Sequence, residues 1–299
     1  MPIRLNQTTS GEDSQHGEHG VIDAVFREIG VKSRTCVEFG AYDLRHLSNV
    51  YPLWTNGWRA LLIEGDEGHY AKLMSDYAAH PQHAEQRVHI ANRFVAPDGV
   101  DSLDCILAEH GFPTDVDLVS IDVDGLDYHI WNGLKKYTPR LAIVEYNPTI
   151  PPHIEIIGDR RGNNIGCSAL ALARLGQEKG YSLVACIGWN AFFVQQEHAD
   201  LFADADNLDA LFDYSYVRYA MQSYGGEVFY SAPLHLTPVP LMWDTDAIER
   251  SSVPLGKIRN SPLRVGTKAI RYYLRPLKRL YLRAKTYQGS KVRRFLRPR

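Results

Sequence analysis

The chain contains no apolar stretch near the roughly 18 residues that a membrane-spanning helix needs, and its first twenty residues, "MPIRLNQTTSGEDSQHGEHG", lack the apolar centre of a signal peptide. Cysteine is scarce. Cys36, Cys105, Cys167 and Cys186 stand far apart, with no CxxC pair and none of the clustering of a disulfide scaffold. Free thiols and a cytoplasmic location are the expectation. Acid is absent from one region: Lys257 to Arg299 holds 15 of the 33 Lys and Arg residues and no Asp or Glu. The rest of the chain sets 18 basic residues against all 35 acids, so an acidic body carries a basic tail.

What is present in the body is an alternation. Short apolar runs read as strands: "TCVEFGA" (35–41), "RALLIEGD" (59–66), "RVHIA" (87–91), "VDLVSIDVDG" (116–125), "RLAIVEYNP" (140–148), then "YSLVACIG" and "NAFFVQQ" across a tight turn. Between them "GVIDAVFREIG", "GHYAKLMSDYAAH", "SLDCILAEHG" and "CSALALARLGQEKGY" carry helical periodicity, the last stopped at Gly180. Near-continuous apolar strands between helices predict an α/β fold. The expected form is a Rossmann-like, doubly wound, mostly parallel seven-stranded sheet with an antiparallel edge hairpin. Three regions are expected: 1–199 as this domain, 200–256 as a helical, aromatic-rich extension or lid, and 257–299 as a basic amphipathic tail.

Ligands of such sheets bind at the carboxyl ends of the strands. Glu38, Glu64, Asp122 and Glu145 each fall at or just past a strand end, so they are expected to share one crevice. Glu64, closing the second strand, is placed to accept from a ribose diol, and Gly40 lets a ligand approach the first turn. That turn has one glycine rather than three, which argues against a pyrophosphate on a helix N-terminus and for a ribose cofactor without phosphates, S-adenosylmethionine.

The stretch "SIDVDGLDYHIW" (120–131) packs three aspartates into six residues and has several readings. A calcium loop fails, because its twelfth position from Asp122 is Gly133 and not Glu. A haloacid-dehalogenase-type phosphatase usually opens its fold with Asp-x-Asp-Gly and follows it with Thr, and here Leu126 follows. A nucleotide-sugar glycosyltransferase using Asp122 and Asp124 on a divalent metal remains the rival enzyme. Asp124 and Asp127 also read as turn and cap residues of a helix starting "YHIWNGL".

Assembled in order, "SQHGEHGVIDAVF", "VEFGAYD…SNVYPLWTNGWRALLIEGD", "SLDCIL…VDLVSIDVDGLDYHIWNGL", "VEYNP" and "GCSALALARLGQEKGYSLVACIGWNAFFV" resemble the FkbM-like S-adenosylmethionine-dependent methyltransferases. The resemblance runs from about Gln15 to Gln195. It implies cofactor contacts from Glu38, Gly40, Ala41, Ser48, Asn49 and Glu64, with Asp122 near the methionine moiety or the substrate. After Asp43 this chain has "LRH" where the family commonly has a glycine.

Two mechanisms compete for methyl transfer to a glycan- or glycolipid-type oxygen. In one, Mg²⁺ held by Asp122, Asp124 and Glu145 or Asn147 lowers the pKa of a substrate diol. In the other, a plain general base acts, drawn from Asp122, Asp124 and His153. His153 follows three prolines in "NPTIPPHIE", and His129 in the predicted helix ranks below it as a packed histidine. The non-catalytic alternative is a methyltransferase fold that binds a ligand or partner without turnover. In the tail, Ile270, Tyr273, Leu274, Leu277 and Tyr281 recur at helical spacing among Arg271, Arg275, Lys278 and Arg279, with Pro276 as a kink. This pattern suits peripheral binding to an anionic membrane surface. Nucleic-acid binding has the charge without a motif.

Overall fold

The computed structural model describes residues 1–217, except 12–13, 42–43, 124 and 162–164, together with the backbone of three strands, Ala220–Gln222, Val228–Tyr230 and Ile248–Ser251. The expectations for Asp124 and for residues 257–299 lie outside the described residues.

Five parallel strands form the sheet's centre and one side: β1 (Thr35–Phe39), β2 (Arg59–Glu64), β3 (Val88–Asn92), β4 (Leu118–Ile121) and β5 (Leu141–Glu145). A short β6 (Ile156–Gly158) leaves the sheet and pairs antiparallel with Ile248–Ser251. The hairpin of β7 (Tyr181–Ile187) and β8 (Asn190–Gln195) completes the seven-stranded sheet, in the order β3-β2-β1-β4-β5-β8-β7, with β8 antiparallel to β5. This is the Rossmann-like arrangement with an antiparallel edge that the sequence predicts.

Both faces of the sheet are covered, which is why β2 and β5 read as near-continuous apolar runs. Residues alternate between the faces. Val37, Phe39, Leu61, Ile63, Val119, Ile121 and Val144 pack with α4 (Leu103–Glu109), α5 (Asp127–Gly133) and α6 (Ala169–Glu178) around the buried Trp131. Cys36, Ala60, Leu62, Leu118 and Ile143 face α1 (Glu18–Ile29), α2 (Tyr51–Thr55) and α3 (Glu67–Ala79). Glu38 and Ser120 lie two residues beyond Cys36 and Leu118 of this second set, so their side chains fall on the same α1–α2 face.

The amino edge of the sheet is pinned by Asp117, which has no exposed surface. Its carboxylate accepts from the consecutive backbone N–H groups of Lys32, Ser33 and Arg34 at 2.9, 2.7 and 2.6 Å, and meets Arg140 Nη1 at 3.4 Å. Arg140 in turn donates to the terminal carbonyls of α1, Ile29 O and Gly30 O. One buried carboxylate and one guanidinium thereby fix how α1 hands over to β1.

The segment after β8 winds back over the sheet's edge. Phe202 pairs with Ile3 and is buried with the α1 face, whereas Leu211, Phe212 and Val217 are buried with the opposite cluster. Asp206 Oδ1 accepts from Leu183 N at 2.9 Å.

Candidate functional site

The strand order reverses between β1 and β4, so the crevice of a doubly wound sheet opens at their carboxyl ends. Gly40 closes β1 there with φ of +74°, and a Cβ on it would collide with the carbonyl oxygen of Asp122. The glycine is required by the close approach of two backbones. Ala41 N reaches Ile63 O at 3.4 Å, tying the same turn to β2.

Glu38 is buried and faces the start of α2. Its Oε2 accepts from Ser48 Oγ and its Oε1 from Asn49 N, both at 2.6 Å. Ser48 Oγ also accepts from Tyr51 N at 3.0 Å, and Asn49 Nδ2 donates to Ser120 Oγ at 3.0 Å. The Glu38 carboxyl therefore organises the loop that leads into α2, with Ser48 and Asn49 as its partners. Burial pushes the Glu38 carboxyl up to about 7, against the downward pull of the Ser48 and Asn49 hydrogen bonds, and the nearby Asp122 charge adds to the rise.

Asp122, exposed at the end of β4, also acts on Asp127. Asp127 is buried at the start of α5, where Oδ1 accepts from Val123 N at 2.8 Å and Oδ2 from Gly125 N at 2.9 Å. It ties down the backbone just ahead of α5, which fits its reading as a turn residue, and it does not cap the helix, because its bonds run back to Val123 and Gly125. Burial and then Asp122 raise its carboxyl well above the ordinary range.

Glu64 ends β2 and is 8% exposed. Its Oε1 accepts from Asp66 N at 2.8 Å, and its other oxygen has no partner among the described residues. Asp66 caps α3 through Gly68 N and His69 N. Sequence reasoning missed the aromatic beside this pair. Phe94, just past β3, is 77% exposed, and its ring lies against Gly65 so closely that a Cβ there would strike it. A lone Phe after "IANR" gives no periodic signal, and only the neighbouring glycine marks it.

The remaining predicted residues divide. Glu145 sits half-buried opposite Asn190 in the β5–β8 pairing. Asn147 does not fit a metal ligand: its Oδ1 accepts from both Thr149 N (3.0 Å) and Thr149 Oγ1 (2.6 Å), while Nδ2 donates to Ile165 O (3.1 Å). With both amide-oxygen lone pairs occupied, no donor pair is left for a cation. Among the described residues no three His, Cys, Asp or Glu side chains gather as a metal site. His129 is buried and bonded through Nε2 to Gly158 O at 2.7 Å, a packing role. His153 is exposed in the turn closed by Ile154 N on Pro151 O, with no hydrogen bond from its ring among the described residues.

Cavity size points elsewhere. A cavity of about 490 Å³ lies at the amino edge, lined by residues that include Lys32, Asp115, Arg140 and Glu197. Lys32 is paired with Asp115 at 2.7 Å and Arg140 is committed to α1, so the chemistry does not follow the volume.

Comparison with protein-family models gives no match, and no curated protein matches in sequence. Solved structures similar to this chain include the glycopeptide N-methyltransferase MtfA complexed with S-adenosyl-L-homocysteine, at 12% identity and a TM-score of 0.38, covering 64% of this chain and 98% of that one. The CcbJ methyltransferase from Streptomyces caelestis is similar at 12% identity and a TM-score of 0.39, covering 62% of this chain and 98% of that one. The StiE O-MT gives 14% identity and a TM-score of 0.35, covering 56% and 53%.

Proposed function

We propose that this protein is an S-adenosylmethionine-dependent methyltransferase of FkbM-like type, directed to an oxygen of a glycan or glycolipid acceptor. The observation that carries the reading is Glu64: a largely buried carboxylate at the carboxyl end of β2, with one oxygen unpartnered among the described residues, beside a β1 turn that has one glycine. A carboxylate in that position accepts from vicinal ribose hydroxyls. A turn without the three-glycine pattern suits a cofactor without phosphates. Phe94 beside Gly65 offers a flat apolar face for a purine ring.

The cofactor supplies an electrophilic methyl group. The chain's own residues would orient it. Glu64 holds the ribose, the Glu38–Ser48–Asn49 loop covers the crevice, and the exposed carboxylate of Asp122 favours a cationic sulfonium over a neutral thioether. Asp122 is the carboxylate exposed to the crevice and the candidate base.

The test is calorimetric titration of S-adenosylmethionine and S-adenosylhomocysteine into the full chain and into Glu64→Gln. The amide oxygen introduced by that substitution still accepts from Asp66 N, so the fold is retained. Saturable binding by the wild type should weaken about 100-fold in the variant, near 3 kcal/mol for a lost charged pair of hydrogen bonds. No binding of either compound by the wild type would exclude the reading.

In the same proposal the basic stretch 257–299 holds the enzyme at an anionic membrane surface, which suits a lipid-linked acceptor. No helix among the described residues is long and apolar enough to cross a membrane. Equal co-sedimentation of the full chain and of a chain ending at residue 256 with phosphatidylserine vesicles would remove this part of the proposal.

A further inference from the structure

A second polar group lies at the carboxyl end of the sheet, brought there by the start of α1. That helix runs from the carboxyl edge, where His19 Nε2 bonds Ser48 O at 2.8 Å, to the amino edge, where Arg140 takes its last carbonyls. Glu18, in its first turn, has no exposed surface. Its Oε2 accepts from His16 N at 2.7 Å, and its Oε1 accepts from Asn190 Nδ2 at 3.2 Å. Asn190 opens β8, directly opposite Glu145 at the end of β5.

Three side chains here carry polar atoms that the fold does not use. Asn190 is 4% exposed and its Oδ1 has no hydrogen-bond partner among the described residues. His16 Nε2 is buried and equally unpartnered. The His16 ring fills the space over Gly188, where a Cβ would collide with it, and stands edge-on to Tyr216 with centroids 6.1 Å apart. Tyr146, 2% exposed just past the end of β5, has only the Cys186 thiol beside its hydroxyl, a weak partner. Each unpartnered buried polar atom costs about 1–3 kcal/mol. Native folds carry few of them, and three together call for an explanation such as a bound group.

The chemistry of the ligand follows from the donors and charges. Asn190 Oδ1 is only an acceptor, so the ligand must donate a hydrogen bond to it. His16 Nε2 and the Tyr146 hydroxyl can each accept or donate. The Glu18 carboxylate sits between Asn190 and His16, and Asp213 lies near Tyr146 and Tyr216, so the local field is negative and disfavours an anion. Closely spaced O–H groups on a neutral framework meet these conditions, and the Tyr216 ring beside His16 supplies an aromatic surface of the kind a sugar ring packs against.

We propose that His16, Asn190 and Tyr146 form the acceptor-recognition subsite, built for a neutral polyhydroxyl group such as a hexopyranose, with Glu18 as the positioning residue that orients Asn190. This deepens the methyltransferase reading and rests on it for the word acceptor. The binding claim stands separately.

The experiment titrates methyl α- and β-hexopyranosides, and glucuronate as the anionic control, into the full chain with and without S-adenosylhomocysteine. It follows the histidine Cε1–Hε1 signals by NMR, with the His16 signal identified by its disappearance in His16→Gln. A neutral glycoside should shift the His16 signal saturably, and glucuronate should not. Asn190→Ala should weaken the glycoside response about tenfold, as for one hydrogen bond. The His16 ring makes no hydrogen bond among the described residues, so His16→Gln stays folded and should lose glycoside heat in calorimetry even if Asn190→Ala does not fold. A His16 signal that ignores every glycoside, or glycoside heat unchanged in His16→Gln, overturns the subsite. Failure of S-adenosylhomocysteine to bind the wild type overturns the cofactor reading alone, because the glycoside response is read without it.

Discussion

Gly40 and Asp122 meet backbone to backbone at the point where the strand order turns, and no side chain fits on Gly40 without displacing the Asp122 carbonyl. The same glycine has φ of +74°, so a substitution is opposed twice, by strain and by collision. Gly40→Ala is expected to destabilise the protein by about 3 kcal/mol or more, the sum of left-handed strain and overpacking. Gly111 is the control. It has φ of +62° and nothing within 4 Å of its missing Cβ, so Gly111→Ala should cost about 1 kcal/mol from strain alone. Urea unfolding of both variants decides the matter, and equal costs would show that the Asp122 contact is immaterial.

The carboxyl of Glu38 is raised from 4.5 to about 7, chiefly by burial, so the folded state holds its proton where the unfolded chain has released it. Between about pH 4.5 and 7 the native state binds more protons than the unfolded state, and stability falls as pH rises. Over that window Glu38 alone contributes a decline of about 3 kcal/mol. Asp127, also raised, has the same sign. Glu38→Gln removes a titrating group but keeps an acceptor for Asn49 N, so the difference between wild type and variant should favour the wild type at pH 5 relative to pH 8. Denaturation midpoints measured across this range test it. A difference that does not vary with pH would show that Glu38 ionises normally.

These two sites mark what the sequence could and could not disclose. The strands were legible because burial on both faces makes runs such as β2 and β5 nearly continuous in apolar residues, and the turn role of Asp127 was legible because its partners lie within four residues. The task of Glu38 was not, since Ser48 and Asn49 reach it only through the folding of a loop that carries no periodic pattern. Glu38 and Asp122 share a parity along β1 and β4, yet Glu38 is buried within the strand while Asp122, two residues past the Ser120 that pairs with Glu38, is exposed, and that difference in depth leaves no mark in the sequence pattern. The Glu18–Asn190 bond joins positions 172 residues apart, and no local signal could report it. The three-residue β6 was missed because its partner strand, Ile248–Ser251, lies far along the chain.

Asp117 separates stability from function. It lies at the amino edge, opposite the crevice, and satisfies three successive backbone N–H groups as well as Arg140. Asp117→Ala leaves those donors and the guanidinium without their acceptor, and the expected cost is about 3–5 kcal/mol. The affinity of the protein that remains folded for S-adenosylhomocysteine should be unchanged. Calorimetry below the melting transition checks this, and a matching loss of affinity would mean that the two edges of the sheet are coupled.

Phe94 offers the converse case. Its ring is 77% exposed, so little apolar area is withdrawn from water in the folded protein and Phe94→Ala should change stability by less than about 1 kcal/mol. A ring held against Gly65 beside the Glu64 carboxylate is positioned to stack on a purine, and loss of that stack should weaken S-adenosylhomocysteine about tenfold. Phe94→Tyr keeps the face and should bind as the wild type does. Titrating homocysteine alone isolates the contribution, since it has no purine and should behave alike toward the wild type and the Phe94→Ala variant. If Phe94→Ala binds S-adenosylhomocysteine with full affinity, the purine lies elsewhere, and the assignment of Glu64 to the ribose must be reconsidered with it, because Gly65 and its neighbours place the two side chains together.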